Sequence, residues 1–455
     1  MAVAEYLTPL DAGFLGLEDS DQNVSMATGT LAVLEGPMPE HAALAATLAE
    51  RLGGCPRFGQ RLVRHALDLS APEWVDDPHF DVAHHIGRVA APAPGGAAEL
   101  HAVVADVMSW RLDRDRPLWE IWVIGGLSDD RWALLMKVHH CIAGSTAAAH
   151  MLTGLSDTGM SHHRPSAAAP PAADRPTHTR PLLDLNPVHW VYNLRGVVEL
   201  ASGLLQPASS PLNGPITSRR RYSAARVPLD GIEQVCRAFE VTVDDVVLAA
   251  LTESYRDFMI RRGEVPEPDS LRTLVPFSPS SPDAAPTAES RASVLLPRLP
   301  VEESNPIRRL LAVRSRLAQA KAGGQRHAAR AVISAAGILP VAWSGWAARL
   351  FGQLRQRGVV ALATNVAGPA EPLQIMGCDV VQVLPVPPIA MQLRAGVSAL
   401  SYAGDLFIGV LADFEFAAVD ELARGLEAAV ARLVARSRRR KPLRDWHGLA
   451  LVRSA

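Results

Sequence analysis

The feature that most limits what this chain can fold into is a single break in its pattern. From Ser156 to Pro181 it reads "SDTGMSHHRPSAAAPPAADRPTHTRP", rich in proline, alanine and polar residues and without an apolar period. A stretch of that composition reads as an exposed linker or crossover, not as part of a core. It predicts a first domain at 1–155, a linker or crossover at 156–218 and a second domain at 219–455. Each part is of ordinary domain size, and 48% hydrophobic residues suffice for large cores.

Within both halves helices and strands alternate irregularly. "ATGTLAVL" at 27–34 predicts a strand, and 39–52 a helix with Pro39 and Glu40 in its first turn. A further helix is predicted at 99–110. The apolar runs 119–126 and 132–138, separated by "LSDDR", predict a hairpin. The second half predicts helices at 229–239, 242–262, 306–321 and 419–434. Its strands are expected in "LRTLVPF", "SVLLPRLPV", "VVALATNVAGP", "VVQVLPVPP" and "GVSALSYAGDLFIGVLAD". The order predicts a mixed α/β (α+β) fold on two sheets.

Several function classes fall away. A net charge of -2 and a pI of about 6.7 give no footprint for nucleic acid. Cys55, Cys141, Cys236 and Cys378 are far apart with no CxxC, which excludes a zinc ribbon or a thioredoxin-type pair and fits a cytoplasmic location. The N-terminus shows no signal-peptide pattern. The uncharged stretch 331–348 contains Pro340 and many alanines; it predicts a buried or interfacial helix-turn-helix and no transmembrane span. "DDPHFDVAHH" at 76–85 mixes carboxylates and imidazoles too irregularly for a metal centre and predicts a solvated strand entry. GxSxG, HExxH, GxGxxG and a Walker loop are missing from the sequence.

One stretch invites chemistry. "KVHHCIAGSTAAAHML" places His139 and His140 where a strand meets a helix for which Ser145 is the expected N-cap. On an extended segment adjacent side chains face apart, so one ring can enter a cleft while the other packs behind it. An imidazole in a cleft can act as a general base near neutral pH; a pair of satisfied structural histidines is the plain alternative. Cys141 is expected to be a core thiol.

Several blocks then occur in one order: "LTPLDAGFLGLED", "RPLWEIWVIGGL", "KVHHCIAGS", "PLNGPI", "VTVDDVVLAAL", "LRTLVPFS", "TNVAGP" and "LSYAGDLFIGVLAD". This series resembles the bacterial wax ester synthase/acyl-CoA:diacylglycerol acyltransferase family, part of the CoA-dependent acyltransferase superfamily. The resemblance implies two chloramphenicol-acetyltransferase-like domains with mixed sheets and an active site at their interface. It implies transfer of a long-chain acyl group from acyl-CoA to diacylglycerol, and to a fatty alcohol to give a wax ester. No cofactor is needed, because acyl-CoA is itself an activated substrate. His140 falls on the second histidine of the family's HHxxxDG motif and is expected as general base, with His139 supporting it. Pro117, Leu118 and Trp119 of the PLW block, and Asn365, Gly368 and Pro369 of "TNVAGP", are expected to bind substrate or shape the site. Asn365 is a candidate oxyanion donor. The motif is degenerate: Gly144 stands where the family has Asp, and Ser145 where it has Gly. That departure opens a second reading, a catalytically weak or inactive lipid-binding homologue. Lipid substrates imply peripheral contact with a membrane or lipid-droplet surface, for which the amphipathic stretch 188–205 and the basic run 436–444 are candidates.

Overall fold

The computed structural model describes residues 5–7, 9–52, 56–64, 71–143, 147–157, 215–268, 270–277, 293–295, 297–322, 361–366, 368–389 and 393–439. The first half opens with β1 (Glu5–Tyr6), α1 (Pro9–Ser20), β2 (Ala27–Glu35) and α2 (His41–Leu52). Next come β3 (Gln60–Val63), β4 (Glu73–Asp76), β5 (Ile86–Ala90) and α3 (Ala97–Ser109). The predicted hairpin follows as β6 (Trp119–Gly125) and β7 (Arg131–His139), then α4 (His140–Ala143) and α5 (Ala147–Leu155). The second half begins with β8 (Arg220–Pro228), α6 (Leu229–Phe239) and α7 (Val243–Arg261). It continues through β9 (Thr273–Phe277), β10 (Ser293–Leu295), α8 (Pro306–Ala322) and β11 (Ala361–Val366). It closes with β12 (Gln374–Ile375), β13 (Cys378–Val386), β14 (Ala395–Tyr402), β15 (Asp405–Asp413) and α9 (Val419–Arg439).

Two six-stranded sheets carry the molecule, ordered β12-β13-β2-β7-β6-β5 and β10-β9-β11-β14-β15-β8. Both are mixed: β5–β6, β11–β14 and β11–β9 are parallel and the remaining pairs antiparallel. The histidine strand β7 is central, flanked by β2 and β6. Its neighbour β2 pairs on the other side with β13, a strand from the second half. The chain therefore crosses from one sheet to the other between β13 and β14, and the two halves share backbone hydrogen bonds.

Alternation along β15 shows how the halves meet. Leu406, Ile408, Val410 and Ala412 enter the second core, while Phe407 and Leu411 enter the first. A strand with a period of two thus faces its own helices on one side and the first half on the other. At Gly409 an added Cβ would lie 1.7 Å from the Pro385 carbonyl oxygen, so only glycine admits the crossing strand there. The Tyr222 hydroxyl donates to the same carbonyl at 2.9 Å.

Local signals explain the helix ends. Thr242 caps α7: its Oγ1 accepts the Asp245 N–H at 3.2 Å, and the Asp245 carboxylate accepts the Thr242 N–H at 2.8 Å. Asp157, inside the predicted linker, ion-pairs with Arg51 at 2.7 Å and accepts the N–H groups of Met376 and Gly377. It fastens the end of α5 to the β12–β13 turn. The predicted segments 188–205 and 331–348, and the basic run beyond Arg439, lie outside the described residues.

Candidate functional site

The PLW block holds the histidine strand from one side. Pro117 is buried, and Leu118 and Trp119 are almost fully enclosed. The Leu118 carbonyl accepts the His139 N–H at 2.9 Å, and Trp119 stands opposite Val138 in the β6–β7 register. The Trp119 indole N–H donates to the Phe58 carbonyl at 2.8 Å, and its ring stacks on His85 with centroids 4.4 Å apart. His85 is buried, with Nδ1 2.8 Å from the Trp119 carbonyl oxygen. The stretch 76–85 is a largely exposed entry to β5 as expected, except at its end: His85 is core packing under the PLW block. Among the described residues no group of His, Cys, Asp or Glu is arranged to hold a metal ion.

Lys137 precedes the pair on the same face of β7 as His139. It is fully buried, and its Nζ donates to the Val107 carbonyl at 3.0 Å and the Trp110 carbonyl at 2.6 Å. It thereby satisfies acceptors at the C-terminal end of α3. Glu120 stands 3.6 Å away, and burial pushes the ammonium pKa down.

His139 is fully enclosed. Its Nδ1 accepts the Cys141 backbone N–H at 3.2 Å and lies 2.9 Å from Cys141 Sγ. Its Nε2 lies 3.4 Å from Glu18 Oε2. Glu18, on α1, is only 2% exposed. It pairs with Arg114, has Arg111 at 3.6 Å, and accepts the Met26 N–H at 3.0 Å. Burial raises the Glu18 carboxyl, but the His139 contact, the Arg114 charge and the Met26 hydrogen bond outweigh it and hold the pKa at about 2. Burial lowers the pKa of His139 against the opposing pull of Glu18. Burial likewise pushes the Cys141 thiol well above its ordinary range, as expected of a core thiol.

His140 is the first residue of α4 and keeps partial exposure. Its backbone N–H donates to the Met26 carbonyl at 3.0 Å, and its ring meets Phe14 edge-on with centroids 4.7 Å apart. Nδ1 is buried with no hydrogen-bond partner among the described residues. Burial, and then the neighbouring His139, lower its pKa to about 4, so the ring is neutral at pH 7. The pair is divided between two elements: His139 closes β7 and is fully buried, and His140 opens α4 with intermediate exposure.

The segment Asn23–Met26 links the pair to the second half. Met26 touches Glu18 and His140, Ser25 bridges Ile389 of the crossover, and the Asn23 carbonyl accepts a hydrogen bond from Arg220. The histidines thus sit beside the seam between the halves.

Other sequence-predicted residues fall elsewhere. Gly144 and Ser145 lie outside the described residues. Asn365 stands opposite Ala399 in the β11–β14 register. Gly368 follows β11 and donates its N–H to Ser401 Oγ at 3.2 Å, and the Pro369 carbonyl accepts the Ala403 N–H at 3.3 Å. No hydrogen bond among the described residues joins Gly368 or Pro369 to the histidines. Pro117, Leu118, Trp119, His139 and His140 do come together.

Glu18 was not among the predicted site residues. A partial signal was present: Asp11, Phe14, Leu15 and Glu18 fall at i, i+3, i+4 and i+7, which puts two carboxylates on the same helix face as Phe14 and Leu15.

The family model described as "Wax ester synthase/diacylglycerol acyltransferase catalytic domain" matches residues 7–247, and that described as "WS/DGAT C-terminal domain" matches 290–433. The chain is 52% identical over 460 aligned residues to a Mycobacterium tuberculosis protein named probable diacylglycerol O-acyltransferase tgs1, covering 98% of this chain and 99% of that one. Its structure resembles the wax ester synthase/diacylglycerol acyltransferase of Marinobacter aquaeolei VT8, with a TM-score of 0.67 and 26% identity over 95% of this chain and 100% of that one. The first condensation domain of the CDA synthetase shares the fold, with a TM-score of 0.57 and 16% identity over 96% of this chain and 97% of that one.

Proposed function

Because the chain belongs to the wax ester synthase/diacylglycerol acyltransferase family and is an acyltransferase, we propose that it moves a long-chain acyl group from acyl-CoA to the hydroxyl of diacylglycerol, and to that of a fatty alcohol. His140 is the general base. The observation that carries this assignment is an imidazole with partial exposure beside the seam of the two halves, its Nδ1 buried with no hydrogen-bond partner among the described residues. Nε2 is then the nitrogen left to meet the acceptor hydroxyl.

The chemistry is balanced with these parts alone. Nε2 takes the hydroxyl proton as the oxygen attacks the thioester carbonyl. A tetrahedral oxyanion forms and needs preorganised donors, a role we assign to "TNVAGP", with Asn365 the first candidate. Collapse breaks the C–S bond, and the imidazolium returns the proton to the departing CoA thiolate. The thioester is already activated, so no metal or prosthetic group enters the sequence of steps. A pKa of about 4 makes His140 a modest base but leaves it deprotonated at neutral pH.

The lipid substrates place the reaction at a cytoplasmic membrane or lipid-droplet surface. No helix among the described residues is long and apolar enough to cross a membrane. The substitution at Gly144 supports a second reading, a lipid-binding protein with little turnover.

Labelled long-chain acyl-CoA incubated with the protein and either diacylglycerol or a fatty alcohol separates the two. Labelled triacylglycerol or wax ester establishes the transferase and its acceptor. Bound lipid without product, unchanged in Gly144→Asp, establishes the binding protein.

A further inference from the structure

The family motif supplies an acid after the histidine pair, and this chain has Gly144 there. The described residues supply a carboxylate from α1 instead. We propose that Glu18 and His139 form a positioning device: Glu18 selects the His139 tautomer whose Nδ1 caps the short helix that begins with His140. The inference rests on the base role assigned above and explains how that ring is held.

His139 is the last residue of β7, and α4 starts at the next position. Its Nδ1 accepts the N–H of Cys141, the second residue of α4, at 3.2 Å. An N-cap side chain makes this contact, ordinarily through a Ser, Thr, Asp or Asn oxygen. A ring nitrogen accepts only when it carries no proton. Nδ1 also lies 2.9 Å from Cys141 Sγ, and the thiol, kept protonated by burial, can donate to it as well; on this reading Nδ1 is bare and the proton of the neutral ring is on Nε2. Nε2 makes no hydrogen bond among the described residues and faces the Glu18 carboxylate, with Oε2 at 3.4 Å. A carboxylate accepts and cannot donate, so it favours that tautomer and disfavours the other.

The carboxylate is itself fixed. Arg114 and Arg111 hold Glu18 Oε2, while Oε1 takes the Met26 N–H. Met26 returns its carbonyl to the His140 N–H at 3.0 Å. The backbone on either side of His140 is thus tied by two routes that both lead to Glu18. One runs through the His139 ring to Cys141, the other through Met26 to His140. The His140 ring has Phe14, from α1 as well, against its edge. Tilting α4 would swing Nε2 of His140 away from a bound hydroxyl, and rate falls steeply with such misplacement.

His139 and Glu18 are positioning residues in this scheme, and neither exchanges a proton with substrate. An amide discriminates: in His139→Asn, Oδ1 takes the place of Nδ1 and preserves the cap but carries no titratable ring. We expect His139→Ala to lower kcat about 100-fold with KM within 3-fold. His139→Asn should recover kcat to within about 10-fold of wild type. An Asn variant as poor as Ala, or an Ala variant within 3-fold of wild type, overturns the proposal. Ring 15N NMR of the wild-type protein provides a test that needs no turnover. His139 should show a protonated Nε2 and an acceptor Nδ1, and the opposite tautomer overturns the proposal even if the transferase is active. A protein with the expected tautomer and no transfer to either acceptor would instead refute the base role while leaving the cap intact.

Discussion

Replacing Glu18 by glutamine keeps the side chain's shape and an acceptor for the Met26 N–H but removes the charge facing Arg114. The carboxyl is held at about 2 against an ordinary 4.5. Each tenfold in that preference is worth about 1.4 kcal/mol, so the ionised form is favoured by at most about 3.5 kcal/mol. The neutral His139 required for capping leaves Arg114 and the hydrogen bonds to carry the shift, which is why that figure is a ceiling. The sign follows from a lowered pKa: the stabilisation is complete above pH 4.5 and disappears as pH falls through about 2. Urea unfolding of wild type and Glu18→Gln should therefore differ by about 2–3 kcal/mol at pH 7. The gap should narrow steadily between pH 4.5 and 2. A gap that stays constant down to pH 3, or none at pH 7, would refute the idea that Glu18 is a buried, charge-stabilised anchor.

Two further outcomes test other parts of the structure. Gly409→Ala brings a Cβ to 1.7 Å from the Pro385 carbonyl, and no flexible side chain can yield; it should destabilise by about 3–4 kcal/mol and release the Tyr222 hydrogen bond. Gly154→Ala, on α5 with open space around it, is the control and should be neutral or stabilising by about 0.5–1 kcal/mol in thermal melts. For acyl transfer, the acidic limb of kcat/KM should fall near pH 4, since the base acts only when deprotonated and His140 is lowered to about 4. A limb near 6.5, with the fold intact by circular dichroism, would place the base elsewhere.

Much of this fold was legible because its signals are local. The helix at 242–262 announced itself by Thr242 and two aspartates, and the hairpin of β6 and β7 by two apolar runs about a polar turn. What escaped was long-range. Glu18 lies 121 positions before His139 in the numbering, and no periodicity within β7 or α4 points back to α1. The transfer of β13 into the first sheet also escaped, because an apolar strand carries no mark of which sheet receives it. Asp157 looked like linker for a similar reason: its partners, Arg51 and the β12–β13 turn, come from opposite ends of the chain. Leu118 and Trp119 read equally well as core or as site, and the structure shows both buried, with the Leu118 carbonyl holding the backbone N–H of His139.

The most direct measurement is the rate of acyl transfer from long-chain acyl-CoA to diacylglycerol by His140→Ala, set beside wild type under single-turnover conditions. A positioned general base contributes about 10²–10⁴-fold, and the variant should lose at least 10²-fold while keeping the wild-type melting temperature within a few degrees. A variant that transfers acyl groups within tenfold of wild type would contradict the assignment of His140.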